Sequence, residues 1–189
     1  MGIDTERIEG AIRELLIGIG ENPEREGLVD TPQRVARMYS EIVSGFDLDP
    51  NEIMQTQFNE GHQEMVVVRD VPFYSLCEHH LLPFFGKASV AYIPQGHVVG
   101  ISKLARTIDV FAKRPQLQER MTSQVADSIM SGVKPQGVAV ILRAEHLCMA
   151  MRGIRKPGSS IITSAMRGVF ESSARTRSEV LALLREEQG

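Results

Sequence analysis

Apolar residues recur at helical spacing along the first stretch of the chain. Ile8, Ile12, Leu15, Leu16 and Ile19 share one face over residues 4–19, which predicts an amphipathic helix. The segment GIGENPEREGLVD breaks that period. Thr31 and Pro32 then supply an N-cap and first-turn pair for a second helix running to about Ser44, stopped near Gly45. From Met65 the pattern turns to the β-branched and aromatic content of strands in MVVVRDVPF, GKASVAYIP and the shorter HVVGI. Two helical patterns follow, over about 102–114 and 116–131, parted at Arg114-Pro115. GVAVILRAEHLCMAM reads as one long strand, SIITSAMRGVF as another, and SEVLALLREE as a closing helix. Strands, a helix pair and strands again predict an α+β fold with mostly antiparallel pairing. No internal repeat or long linker interrupts the order, so residues 1–189 are expected to form a single domain.

Composition narrows the class. The chain has 189 residues, 42% hydrophobic and 24% charged, enough to bury a sizeable core. A net charge of −3 leaves no broad basic footprint for nucleic acid or an anionic membrane. The opening MGIDTERIEG is polar and acidic, unlike a signal peptide, and no run approaches the roughly 18 apolar residues of a membrane span. A cytoplasmic location is expected. The two cysteines, Cys77 and Cys148, are then buried thiols or metal ligands rather than a disulfide.

The stretch SLCEHHLLPF, residues 75–84, connects two strands and places Cys77 two residues before His80. A tight connection at that spacing presents thiolate and imidazole to one ion, the ligands zinc favours. Cys148 is the only other cysteine, and three protein ligands would leave a fourth position open, as catalytic zinc sites do. If the strand around Cys148 continues, His146, Cys148, Ala150 and Arg152 share a face. Arg152 then stands about 13 Å beyond Cys148, suiting a substrate with an anionic far end. The plainer readings are buried thiols beside an incidental histidine pair, a satisfied core histidine at His146 and a solvated Arg152. His79, beside the ligand His80, is placed as a general acid or base, and His146 would permit a second proton transfer.

No G-x-x-x-x-G-K-[ST] loop is present, so a nucleotide would be held otherwise. Ser102, Lys103 and Arg106 open one helical pattern and Arg34 and Arg37 another, each cation pair three residues apart on one face. Helix openings favour anions, although such groups also occur as solvated faces. Glu119 in QLQERMTS reads equally well as a surface acid.

Taken together, YSLCEHHLLPFFGKASVAYIP, VVGISKLAR, QLQERMT, RAEHLCMAMRG, TPQRVARMY and TSAMRGVF resemble the GTP cyclohydrolase I family over residues 5–185. The resemblance implies the tunnelling fold: an antiparallel sheet with a helix pair on one face, preceded by N-terminal helices. About 1–60 would be the helical part and 61–189 the catalytic part. It implies conversion of GTP and water to 7,8-dihydroneopterin triphosphate and formate, the entry to pterin and tetrahydrofolate synthesis. Zinc ligands fall on Cys77, His80 and Cys148, and catalytic histidines on His79 and His146. Glu119 would anchor guanine, with phosphate contacts from Ser102, Lys103, Arg106 and Arg152, and from Arg34 and Arg37 of a neighbouring subunit. A decamer of two pentamers with active sites between subunits is implied. One departure is Ser160 in KPGSSIIT, where many members carry lysine. Two rival readings are a nitrile reductase of the same fold with a nucleophilic cysteine, and a zinc-stabilised binding protein. The C-E-H-H and E-H-L-C pairing speaks against the first, and the second leaves the histidines and cations without work.

Overall fold

A computed structural model describes residues 2–184, and its contacts divide the chain after Leu48. The first unit holds α1 (Thr5–Gly18) and α2 (Thr31–Ile42). Asp4 caps α1 by accepting from the Arg7 N–H at 3.0 Å, and Pro32 sits in the first turn of α2. Leu16 is buried, yet Leu15 and Ile19 of the same apolar stripe are 56% and 66% exposed.

The second unit opens with the short α3 (Pro50–Ile53), followed by β1 (Gln57–His62), β2 (Val66–Cys77), β3 (Pro83–Ile93) and β4 (Gly96–Val99). Next come α4 (Ile101–Ala112), the two-residue β5 (Pro115–Gln116) and α5 (Gln118–Val133). The chain continues through β6 (Gly137–His146), α6 (Leu147–Ala150), β7 (Ser160–Gly168), α7 (Val169–Ser172) and α8 (Ala174–Leu184). Residues 185–187 of the expected closing helix lie outside the described residues. The main sheet has the order β5-β2-β3-β6-β7, antiparallel except where β5 joins β2 in parallel; β1 and β4 form a separate antiparallel pair. No helix among the described residues is long and apolar enough to cross a membrane.

Alternation along the strands gives the sheet two packed faces. Phe84, Ala88, Val90 and Tyr92 of β3 and Val138, Val140, Leu142 and Ala144 of β6 face the helix pair. Leu104, Ile108 and Phe111 of α4 and Met121, Val125 and Ile129 of α5 recur at helical spacing and close that core. The α+β expectation of an antiparallel sheet with a helix pair on one face therefore holds. Beyond it, Phe170, Val180 and Leu184 cover part of the opposite face at Ala91 and Ala139.

Two departures bear on the site. The expected strand through Met151 ends at His146, because its partners end there: β3 pairs as far as Phe84↔His146 and β7 as far as Glu145↔Ser160. Pro83, next in line, has no N–H to continue the ladder. The following Leu-Cys-Met-Ala sequence, good helix formers in three of four positions, turns into α6. The other surprise is β5, whose two residues pair Leu76↔Pro115 and Cys77↔Gln116 and were not distinguishable from a helix break.

Gly86 lets β3 and β6 approach beside the site. A Cβ there would lie 1.9 Å from the Arg143 carbonyl oxygen and 2.7 Å from the Ala144 Cα, so the backbone would have to yield. Gly86→Ala is expected to cost about 1–3 kcal/mol, read as a lower denaturant midpoint. Gly10→Ala in α1, where an added Cβ meets nothing within 4 Å, should be neutral or gain about 0.5–1 kcal/mol. Equal midpoints for the two variants would contradict the close approach.

Candidate metal centre

At the end of β2 the chain makes a tight turn. The Cys77 carbonyl accepts from the His80 and Leu81 N–H groups at 3.3 and 2.8 Å, and the Cys77 N–H donates to the Leu82 carbonyl at 2.9 Å. This turn brings Cys77 Sγ to 3.9 Å from His80 Nδ1. Cys148 arrives from α6 across β3. The ligand atoms of Cys77, His80 and Cys148 all lie within 4.8 Å of one another, so the group could hold a metal ion. Tetrahedral thiolate–imidazole coordination requires ligand–ligand separations of roughly 3.5–3.8 Å, close to the 3.9 Å between Cys77 Sγ and His80 Nδ1. Burial pushes the Cys148 thiol up, and the charge of Cys77 pushes it further. A bound cation reverses that preference, since it is the thiolate that coordinates.

The histidines take different positions. His79 is exposed, its ring nearly perpendicular to that of His80 with centroids 6.2 Å apart. His146 closes β6 and stacks on Phe84, with centroids 4.5 Å apart and planes 6° apart. Its Nε2 lies 2.8 Å from Gln118 Oε1. Burial lowers the pKa of His146 below the ordinary histidine value, opposed in part by the negative charge of Glu119. The imidazole is thereby biased towards its neutral form.

Glu119 stands exposed in the first turn of α5, and two links tie that turn to the metal-ligand turn. Glu78 N–H donates to the Gln116 carbonyl at 3.0 Å, extending the β5 pairing. Arg120 meets the Glu78 carboxylate in two-point fashion, through Nη1 to Oε2 and through Nη2 to Oε1 at 3.0 Å. The Arg120 hydrogen bonds hold the Glu78 carboxyl below the usual carboxylate range.

Arg152 is not strung out along a strand. The chain curls back through α6, and Arg152 Nη1 donates to His80 Nε2 at 2.7 Å. The separation of about 13 Å expected from strand geometry is replaced by contact with His80, because a helical turn rises less than half as far per residue. Ser102, Lys103 and Arg106 occupy the first two turns of α4, with Ser102 and Arg106 exposed and Lys103 half-buried. Arg34 and Arg37 lie on α2 in the first unit, where Arg34 pairs with Asp30 at 3.0 Å. The structure thus gathers Cys77, His80, Cys148 and Arg152, with His146 next to Gln118 and within electrostatic reach of Glu119. Gln118, Phe84, Glu78 and Arg120 were not singled out from sequence. The only available sign was their position beside the marked residues, since burial of a glutamine and a charge pair across 42 residues leave no local pattern.

Comparison with known proteins matches nearly the whole length of the chain. The model of the family described as GTP cyclohydrolase I matches residues 8–185. GTP cyclohydrolase 1 of Carboxydothermus hydrogenoformans is 60% identical over 183 residues, covering 96% of this chain and 95% of the relative. GTP cyclohydrolase 1 of Brevibacillus brevis is 57% identical over 186 residues, covering 98% and 100%. A solved structure of the archaeosine synthase QueF-Like in the apo form aligns with 55% of this chain and 93% of its own, at 22% identity and a TM-score of 0.44. Matched along nearly its whole length by the family model and by relatives more than half identical, this chain belongs to the GTP cyclohydrolase I family.

Proposed function

We propose that this chain converts GTP and water to 7,8-dihydroneopterin triphosphate and formate, the first step of pterin and tetrahydrofolate synthesis, with zinc as its resident metal. The single observation that carries the reading is the convergence of Cys77, His80 and Cys148 within 4.8 Å in a chain of this family. Two thiols and an imidazole suit zinc rather than a hard cation. Cys77, His80 and Cys148 would hold the zinc, which when bound would supply a water acidified to a pKa of about 7 as a nucleophile at neutral pH.

The remaining residues have distinct tasks in this scheme. Glu119 accepts hydrogen bonds from the guanine ring N–H and exocyclic amine, fixing the base. His79 donates a proton toward N7 as C8 is attacked and the five-membered ring opens; a second hydrolysis releases formate. His146, biased towards its neutral form by burial, moves protons during opening and rearrangement of the sugar. Ser102, Lys103, Arg106 and Arg152 bind the triphosphate, joined by Arg34 and Arg37 of a neighbouring subunit. Residues 1–189 act as one catalytic domain in the cytoplasm, assembled as a decamer of two pentamers. Edge strand β7, the largely unpaired outer side of β2 and exposed Leu15, Ile19, Tyr74 and Ile101 support association.

Purified protein incubated with GTP, then oxidised, should develop pterin fluorescence and release formate, and a chelator should abolish both. Zinc-replete protein that yields neither product would sink the enzyme reading. His79→Ala should retain bound zinc while turnover falls by about 10²–10⁴-fold. His80→Ala should lose zinc and turnover together. Metal analysis showing the same zinc loss in both variants would refute this division of labour.

A further inference from the structure

Gln118 is 2% exposed, and both ends of its amide are hydrogen-bonded. Its Nε2 lies 3.2 Å from the Leu142 carbonyl oxygen, 3.1 Å from the Ile161 carbonyl oxygen and 3.1 Å from Thr163 Oγ1. Carbonyl oxygens accept and never donate, so turning the amide over would set Oε1 against two other acceptors in a buried site. The two hydroxyls agree with this orientation. Thr122 Oγ1 donates to the Gln118 carbonyl at 2.7 Å. Thr163 Oγ1, 2.6 Å from Thr122 Oγ1, then gives its own proton to Thr122 and keeps a lone pair for the amide. The Gln118 Oε1 is thereby fixed toward His146 Nε2 at 2.8 Å, and an amide oxygen can only accept.

We propose that Gln118 is a positioning residue that fixes the His146 ring by accepting at Nε2, so that the imidazole carries its hydrogen on Nε2 and its lone pair on Nδ1. The tautomer follows from this geometry, and its effect on turnover rests on the reading of His146 as a residue of the proposed active site. Neutral imidazole has one N–H and one lone pair, so a partner that accepts at Nε2 decides which nitrogen is basic. Phe84, stacked beneath the ring, holds its plane while Gln118 sets its rotation within that plane.

Neutron diffraction from deuterium-exchanged crystals of the full chain, grown where histidine is neutral, reads the tautomer without any turnover. Deuterium on Nε2 of His146 and none on Nδ1 is the expected result; the reverse occupancy overturns the proposal. Gln118→Met removes the acceptor, and it should lower kcat by about 10–100-fold with the KM for GTP and the zinc content nearly unchanged. Loss confined to KM, or a kcat equal to that of the unmodified chain, also overturns it. Should Gln118→Met fold poorly, the neutron result decides. Failure of the unmodified chain to turn over GTP would remove the enzyme reading, whereas a wrong tautomer in an active enzyme removes this inference alone.

Discussion

Two strands that are not neighbours, β2 and β6, stop at the same end of β3, and the site is built on those two ends. The pairs Ser75↔Phe84 and Phe84↔His146 set the height of both. Cys77 and His80 follow two and five residues after Ser75, and Cys148 follows two after His146. Everything between the thiols is therefore governed by the width of three strands, spaced about 4.8 Å apart. Gly86, where no side chain fits, keeps β3 and β6 close just behind this end. The same strand also supplies Phe84 as the floor on which His146 rests.

The second half of the site belongs to α5, and polar links fasten it to the first in addition to its apolar packing on the sheet. β5, the Glu78–Arg120 pair and the Glu78-to-Gln116 backbone bond hold the start of the helix against the metal-ligand turn. Gln118, one residue from Glu119, reaches the opposite way into β6 and β7 through Leu142, Ile161 and Thr163. Glu119 and, through Gln118, His146 are thus positioned from adjacent residues of a single helical turn. An exposed ion pair of this kind contributes little to stability, on the order of 0–1 kcal/mol. Its value is geometric, because it restricts how far the two elements can slide.

Much of this was legible in the residues. Periodicity marked α1, α2, α4, α5 and the long strands, since burial on one face leaves a period of 3.6 or 2 that packing then respects. The grouping of Cys77, His80 and Cys148 was legible from the two-residue spacing of Cys77 and His80 and from Cys148 being the one other cysteine. The strand end at His146 was not, because it depends on where β3 and β7 cease to offer partners, a property of other segments. β1 was hidden because QFNEGH is nearly all exposed and lacks alternation. Gln118 looked like any polar residue at a helix start; only three acceptors drawn from β6 and β7 make it a fixed donor.

The contact between Arg152 and His80 has one further consequence. Neutral imidazole has a single in-plane electron pair outside the ring π system, on whichever nitrogen lacks hydrogen. Arg152 donating at Nε2 uses that pair, with the hydrogen then on Nδ1, the nitrogen facing Cys77. A metal ion at Nδ1 needs the same pair on the other nitrogen and turns Nε2 into a donor, which repels a guanidinium. Arginine and metal therefore compete for one electron pair. An ion bound at Nδ1 would therefore displace the Arg152 guanidinium from His80.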